Sequence, residues 1–329
     1  MNVRQPLLSI VCPAYEEQEV LPHFHEALCE SLESIRNEYR LEIVYVDDGS
    51  RDRTLEVLRT IAESDRRVRF LSLSRNFGHQ AALTAGLESA RGEAVVTLDS
   101  DLQHPPELIP TLVAKWREGF DVVLTIRADD QRLSWFKRTS SQMFYRLLRR
   151  WSDLDVRVAA SDYRLMSRRA VQALLSLRES HRYIRGMVQW LGFPTAEVPF
   201  VPNARKAGVS KYTLRKMVRL ASDGLFSFSR VPLRLSVLAG FAITGLSSVA
   251  TVASVFARSR VRPVDPLLVA LLIAVHIVGA TMLGAMAVLG EYVGRIAEEC
   301  KRRPAYLLKE VFPRRDERSR LEPPDAAAA

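Results

Sequence analysis

The sequence predicts an α/β fold: a mostly parallel sheet with flanking helices, followed by interfacial helices and two C-terminal transmembrane helices. Three observations carry this. Apolar strand-like runs alternate with helical periodicity over the first two-thirds of the chain, the pattern of parallel strands joined by right-handed crossovers. Three of those runs end in acid-rich turns. Near the C-terminus, residues 236–257 and 267–290 contain no Asp, Glu, Lys or Arg, and each exceeds the ~20 residues that cross a ~30 Å hydrocarbon layer as a helix.

The elements follow in order. LLSIVCPAY, from residue 7, is too short for the apolar core of a signal peptide and runs straight into PAYEE, so a strand is expected. Val20, Leu21, Phe24, Leu28, Leu32 and Ile35 then recur at three- and four-residue spacing, one face of a helix. LEIVYVDDGS is a second strand. In SRDRTLEVLRTIAESD, Ser50, Asp52 and Thr54 offer caps and Leu55, Leu58 and Ile61 share a face. VRFLSLSRN, HQAALTAGLESARG and EAVVTLDSD continue as strand, helix, strand, and DVVLTIR (121–127) is a fifth strand.

Composition narrows the class. The apolar share of 47% is ample for a core but is concentrated near the C-terminus. The formal charge of +9 is also clustered. Residues 205–234 hold Arg205, Lys206, Lys211, Arg215, Lys216, Arg219, Arg230 and Arg234 against one acid, Asp223, and Arg295, Lys301, Arg302 and Arg303 follow the second apolar stretch. The connection between the stretches has Arg258, Arg260 and Arg262. Basic flanks face the cytoplasm by the positive-inside rule, although the arginines of the connection run against it. Charges beside membrane spans favour anionic lipid over nucleic acid, so no nucleic-acid partner is expected. His276, the one ionisable group inside the spans, reads as a packing or interface residue and not as a proton relay. Cys12, Cys29 and Cys300 are an odd number without metal-type spacing, which fits a reducing compartment and no disulfides.

Ligands of open α/β sheets sit beyond the C-terminal strand ends. Those ends here carry Pro13-Ala14-Tyr15-Glu16-Glu17, Asp47-Asp48-Gly49-Ser50 and Asp99-Ser100-Asp101. Taken alone, LDSDLQHPPE (98–107) reads as a turn, and Glu16 and Glu17 read as acids complementing a helix N-terminus. No GxGxxG follows the first strand and no GxxxxGK[ST] occurs, so dinucleotide and P-loop cradles are absent. A carboxylate pair holding Mg²⁺ or Mn²⁺ is another way to manage phosphate charge.

VCPAYEE, VDDGSRDRT, SRNFGHQAALTAGLESARGEAVVTLDSDLQHPPELI, SDYRLMSR and RKAGVSKY, in this order and spacing, resemble family 2 glycosyltransferases. The resemblance is to the polyisoprenyl-phosphate type, which includes dolichyl-phosphate mannose synthases and bactoprenol glucosyltransferases, and it covers about residues 7–235. It implies a GT-A-type fold. It also implies inverting transfer of one sugar from a nucleotide-diphosphate sugar, a UDP-linked hexose in the bacterial branch, to a polyprenyl (undecaprenyl) phosphate. For the donor it implies Pro13, Tyr15 and Glu17 beside base and ribose, Val46 with Asp47 or Asp48 at the base, Asp99 and Ser100, and Arg127, Arg205 and Lys211. Asp99 and Asp101 match the DxD pair, with Gln103 as a further contact to the metal. Asp101 is counted among the catalytic groups for that reason. Asp162 matches the catalytic acid/base or acceptor-side carboxylate. A lipid monophosphate, with a second pKa of about 6 by analogy with phosphoserine, is already largely ionised, so orienting the acceptor is an alternative role. An N-cap for RRAVQALLSL is a weaker reading of Asp162, because Ser167 is nearer. Arg205, Ser210, Lys211 and Tyr212 match a loop that binds phosphate, including the lipid's. His104 reads as a surface or supporting group, not a ligand.

The expected organisation is a cytoplasmic catalytic domain (1–204), a basic loop with juxtamembrane amphipathic helices (205–235), a transmembrane hairpin (236–295) and a partly disordered cytoplasmic segment (296–329). Leu214, Met217, Val218, Leu220, Ala221 and Leu225 among basic residues, and the aromatics of 132–151, suggest helices lying in the interface. The location implied is the bacterial inner membrane, multi-pass. Homo-oligomers occur in the family, but no interface is legible here. The alternatives are a processive polysaccharide synthase, disfavoured by two spans and the lack of Q-x-x-R-W, and a silent membrane scaffold on the same fold.

Overall fold

A strand that is apolar at every position has to be covered on both faces, and the sheet is built around one. β1 (Leu7–Ala14) is buried from Leu8 onward, as a central parallel strand is. The structure, a computed structural model, describes residues 5–127, 160–177, 179, 182–201, 231–256 and 266–313.

Around β1 come β2 (Arg40–Asp47), β3 (Val68–Leu73), β4 (Ala94–Thr97), β5 (Val122–Arg127), β6 (Ala160–Ser167), β7 (Thr195–Phe200) and β8 (Leu308–Phe312). They form one sheet in the order β7-β5-β6-β4-β1-β2-β3-β8. The five expected strands are all present. The sheet is mostly parallel, as expected, but mixed: β6 runs antiparallel to both β4 and β5, and β8 runs antiparallel to β3, while the other six strands share one direction.

The helices of the α/β half are α1 (Leu21–Glu33), α2 (Thr54–Ser64), α3 (His79–Ser89) and α4 (Ile109–Arg117), then α5 (Arg168–Ser176) and α6 (Ile184–Trp190). The stripe expected for α1 is the buried one: Val20, Leu21, Phe24, Leu28, Leu32 and Ile35 all join the core. α3 covers the opposite face and approaches closely, since a Cβ on Gly86 would fall 2.2 Å from Val11 Cγ1. Ser167 caps α5 by accepting from Ala170 N, as its nearness to that helix suggested.

The chain divides into two compact units, Met1–Met143 with Val156–Thr213 and Pro304–Ala329, and Phe144–Asp155 with Leu214–Arg303. The second unit contains α7 (Val231–Phe256) and α8 (Pro266–Lys301), which pack together where Gly240 meets Thr281. Phe241, Leu246, Leu283 and Met286 are among its large exposed apolar side chains. Two spans were expected. Among the described residues one helix, over Ile273–Lys301, is long and apolar enough to cross a membrane. Many α7 side chains lie outside the described residues. The two regions expected as interfacial helices, 132–151 and most of 214–235, also lie outside them, as does the tail from 314.

Before the tail past Pro313, where disorder was expected, the segment after α8 returns to the sheet. β8 pairs with β3, Phe312 stacks on Phe70 at 5.4 Å, and Glu310 takes a bidentate ion pair from Arg59.

Candidate active site

The acid-rich turns converge because β1, β2 and β4 are parallel neighbours whose C-terminal ends lie together. The first two turns are laced to each other. Glu16 N donates to Ser50 Oγ and Glu17 N to Thr54 Oγ1, both at 2.9 Å, while Asp52 accepts from Gln18 N, Thr54 N and Thr54 Oγ1. Glu16 sits at φ 54 and Gly49 at φ 66, and a Cβ on Gly49 would meet the Arg75 backbone at 2.3 Å. Pro13 lends its carbonyl to the Ser100 hydroxyl, tying β1 to the third turn.

The twin aspartates after β2 are engaged within the protein. Asp47, 1% exposed, accepts from Ser50 N and from Ser72 Oγ. Asp48 accepts from Phe77 N and Gly78 N, which shapes the loop entering α3. Burial raises the Asp48 pKa, against those two N–H groups. Val46 is wholly buried beside them. Tyr15 is half-buried, and burial and then the Glu16 carboxylate raise its pKa.

At the end of β4 the chain turns sharply. Leu102 takes φ 60, and Asp101 Oδ1 accepts from Gln103 N at 3.1 Å. Pro106 opens a single 3₁₀ turn, after which α4 begins. His104 is 1% exposed and not a surface group. Its Nδ1 accepts from Asp99 N (3.1 Å), which leaves Nε2–H to donate to Ser161 Oγ (2.8 Å). Burial holds it neutral by lowering its pKa, and Arg127, at the end of β5, is near enough to add to that effect. Tyr163 and Phe200 enclose the ring.

The deepest part of the site is ionic. Asp162, 5% exposed on β6, accepts from Arg164 Nη2 (2.7 Å) and from Arg185 Nε and Nη2 (3.0 and 2.6 Å). His79 Nε2 lies 3.5 Å from both Asp162 Oδ2 and Asp99 Oδ1. Burial alone would raise the Asp162 pKa, but Arg185, His79 and Arg164 hold it well below the usual carboxylate range. Burial opposes charge on His79 as well, and there Asp99 and Asp162 prevail, with a pKa of about 9. Arg164 is 1% exposed, and its Nε and Nη1 have no partner among the described residues.

Of the sequence candidates, Pro13, Tyr15, Glu17, Val46, Asp47, Asp48, Asp99, Ser100, Asp101, Gln103, Arg127 and Asp162 therefore lie at or beside these strand ends. Arg205, Ser210, Lys211 and Tyr212 lie outside the described residues. Sequence reasoning missed His79, Arg164 and Arg185, which carry much of the site's charge. The one cue was to Arg164, in SDYRLMSR, where an acid and an arginine two apart belong to a strand.

Residues 9–175 match the profile of Glycosyl transferase family 2. The chain belongs to this family. An uncharacterized glycosyltransferase, YkcC, of Bacillus subtilis is 38% identical, over 92% of this chain and 94% of that protein. A second, from Synechocystis, is 39% identical over 93% and 95%. The bactoprenol glucosyl transferase of Shigella phage SfV is 37% identical over 92% and 98%. Among solved structures, a mannosyl-3-phosphoglycerate synthase from Rubrobacter xylanophilus matches at TM-score 0.46 and 16% identity, over 66% of this chain and 71% of that one, too distant to argue from. The protein is thus a glycosyltransferase with an α/β domain of the GT-A kind.

The DxD turn suits a hard divalent cation. Asp99 and Asp101 are both partly exposed, with the Gln103 amide beside them, and all three offer the oxygen donors that Mg²⁺ and Mn²⁺ take.

Proposed function

We propose that this glycosyltransferase moves a single sugar, with inversion, from a nucleotide-diphosphate sugar to a polyprenyl phosphate at the cytoplasmic face of the bacterial inner membrane. The observation that carries the reading is the partly exposed Asp99–Asp101 turn beside the buried Asp162–Arg164–Arg185 cluster. Identity to a bactoprenol glucosyl transferase over 92% of the chain supports a polyprenyl phosphate acceptor. UDP-hexose as donor follows from the sequence resemblance.

Pro13, Tyr15, Glu17, Val46, Asp47 and Asp48 form the nucleoside side of the donor site, and the lacing to Ser50 and Thr54 holds it rigid. Asp99, Asp101 and Gln103 hold Mg²⁺ or Mn²⁺. Bound there, the ion supplies Lewis-acid stabilisation of charge on the departing diphosphate. Ser100 anchors the turn to β1. Arg127, Arg205 and Lys211 complete the phosphate environment, and Ser210 and Tyr212 join Arg205 and Lys211 at the lipid phosphate. Asp162 does not serve as a proton acceptor. Two guanidinium groups hold it ionised, and an acceptor phosphate with a second pKa near 6 needs no base. It positions Arg185 and His79 at the edge of the site.

The two-span reading gains support from β8. A chain that leaves the sheet after β7 and rejoins it at β8 crosses a bilayer an even number of times. If α8 is one crossing, α7 is the other.

The test supplies the full-length protein with radiolabelled nucleotide sugars, undecaprenyl phosphate and Mn²⁺, followed by organic extraction. A single-sugar lipid is expected. Recovery of a polymer would establish a processive synthase instead, and no product with any donor would sink the proposal. Asp101→Ala should lower kcat about 10²–10³-fold, the loss of one electrostatic contact to the transition state.

A further inference from the structure

On the face opposite α3, one helical turn of α1 brings His25 and Cys29 together, and the turn after α2 brings Asp65 up to them. His25 Nε2 lies 3.6 Å from Cys29 Sγ and 3.6 Å from Asp65 Oδ2, and Sγ lies 3.9 Å from Oδ2. The imidazole–carboxylate separation is too long for an ordinary hydrogen bond. It suits atoms that share a central ion. Tetrahedral zinc, with Zn–S near 2.3 Å and Zn–N and Zn–O near 2.0 Å, separates S from N by about 3.5 Å, S from O by about 3.5 Å and N from O by about 3.3 Å. The three observed spacings agree to within about 0.4 Å of those values. We propose that His25, Cys29 and Asp65 form a binding site for a borderline-soft divalent ion of the zinc type, separate from the Asp99–Asp101 turn.

Two features around the cluster support it. His25 Nδ1 is 3.1 Å from the buried Tyr45 hydroxyl, and in the tautomer that donates Nδ1–H there, the Nε2 lone pair faces Sγ and Oδ2. Such outer hydrogen bonds orient ligating histidines. Arg67 Nη2 already bridges the Asp65 carboxylate and the Cys29 sulfur, 2.7 Å from Oδ2 and 3.2 Å from Sγ. A cation is thus drawn to this spot even without a metal. Arg67 is a competitor that a divalent ion must displace. Its side chain is 33% exposed and borders a surface cavity of about 340 Å³ with Gln5, Asn37 and Tyr39, so it has somewhere to go. Binding forms a metal–thiolate bond and releases the Cys29 proton to solvent. Its structural effect is to fasten α1 to the start of β3.

The test uses full-length protein carrying Cys300→Ser, titrated with Co²⁺, whose thiolate charge-transfer band reports a Co–S bond and is silent for all-oxygen sites. One equivalent should generate the band. Cys29→Ser should abolish it, Asp65→Asn should weaken the affinity about tenfold or more, and Arg67→Gln should tighten it. No band in the Cys300→Ser protein at saturating Co²⁺ overturns the proposal. So does a band that survives Cys29→Ser, or weaker binding in Arg67→Gln. If Cys29→Ser fails to fold, the spectrum of the Cys300→Ser protein and the Arg67→Gln comparison still decide.

Discussion

Asp162→Asn changes no volume and removes one charge, so it separates structural charge balance from chemistry. Asp162 takes three charge-assisted hydrogen bonds from Arg164 and Arg185. Without that charge, Arg164, 1% exposed, is left with neutral acceptors, the Ser161 carbonyl and the amide oxygen, and its Nε and Nη1 already lack partners among the described residues. Removing one partner of a buried pair costs about 3–5 kcal/mol, against a total stability of about 5–15 kcal/mol for a domain. Asp162→Asn should therefore unfold at a clearly lower denaturant midpoint. Adding Arg164→Met, which removes the stranded charge, should restore much of the loss, and a double-mutant cycle measures that coupling. The assay is urea unfolding of the purified protein in detergent, followed beside sugar transfer. An Asp162→Asn protein as stable as the parent but without activity would refute the charge-balance argument and return Asp162 to the role of base. The pH dependence has a definite sign. The folded-state pKa of Asp162 is depressed, so its stabilisation is complete above the unfolded value of about 3.9 and fades as pH falls below it. The rate profile between pH 5 and 8 should show no limb from this group.

Other substitutions test the frame. Gly86→Ala drives a methyl into Val11 at the α3–β1 crossing, an overpacking cost of about 1–3 kcal/mol visible as a lower thermal midpoint. Gly49→Ala meets the Arg75 backbone from a left-handed position. It should cost at least as much and should also weaken donor binding, which a nucleotide titration would read. Phe312→Ala removes the ring stacked on Phe70 and should destabilise by about 2–3 kcal/mol. Arg59→Ala should change stability by less than about 1 kcal/mol, because its pair with Glu310 is partly solvated.

The sequence disclosed those parts of the fold in which local pattern and tertiary role coincide. β1 and β2 are apolar because both faces are covered, and the α1 stripe is periodic because one face is. The strands it hid are those whose patterns contradict their burial. β6 carries Asp162 and Arg164 into the interior as a pair, and those charges interrupt the apolar run that marks a buried strand. β8 pairs with a strand more than 230 residues earlier and has no local signature. The site divides in the same way. Asp99 and Asp101 announce themselves by spacing, whereas His79 and Arg185 matter only because α3 and α6 bring them to Asp162. The His25–Cys29–Asp65 cluster was invisible for that reason too, since its third member comes from another element.

The late return of β8 has a bearing on how the protein is made. Until residues 308–312 leave the ribosome, the outer edge of β3 presents unpaired backbone groups, a template for wrong pairing. The closing strand arrives only after α7 and α8 have been synthesised, so an error in that intervening stretch leaves this seam open. Closure of the sheet thereby waits on the two long helices, a dependence written into the order of the chain.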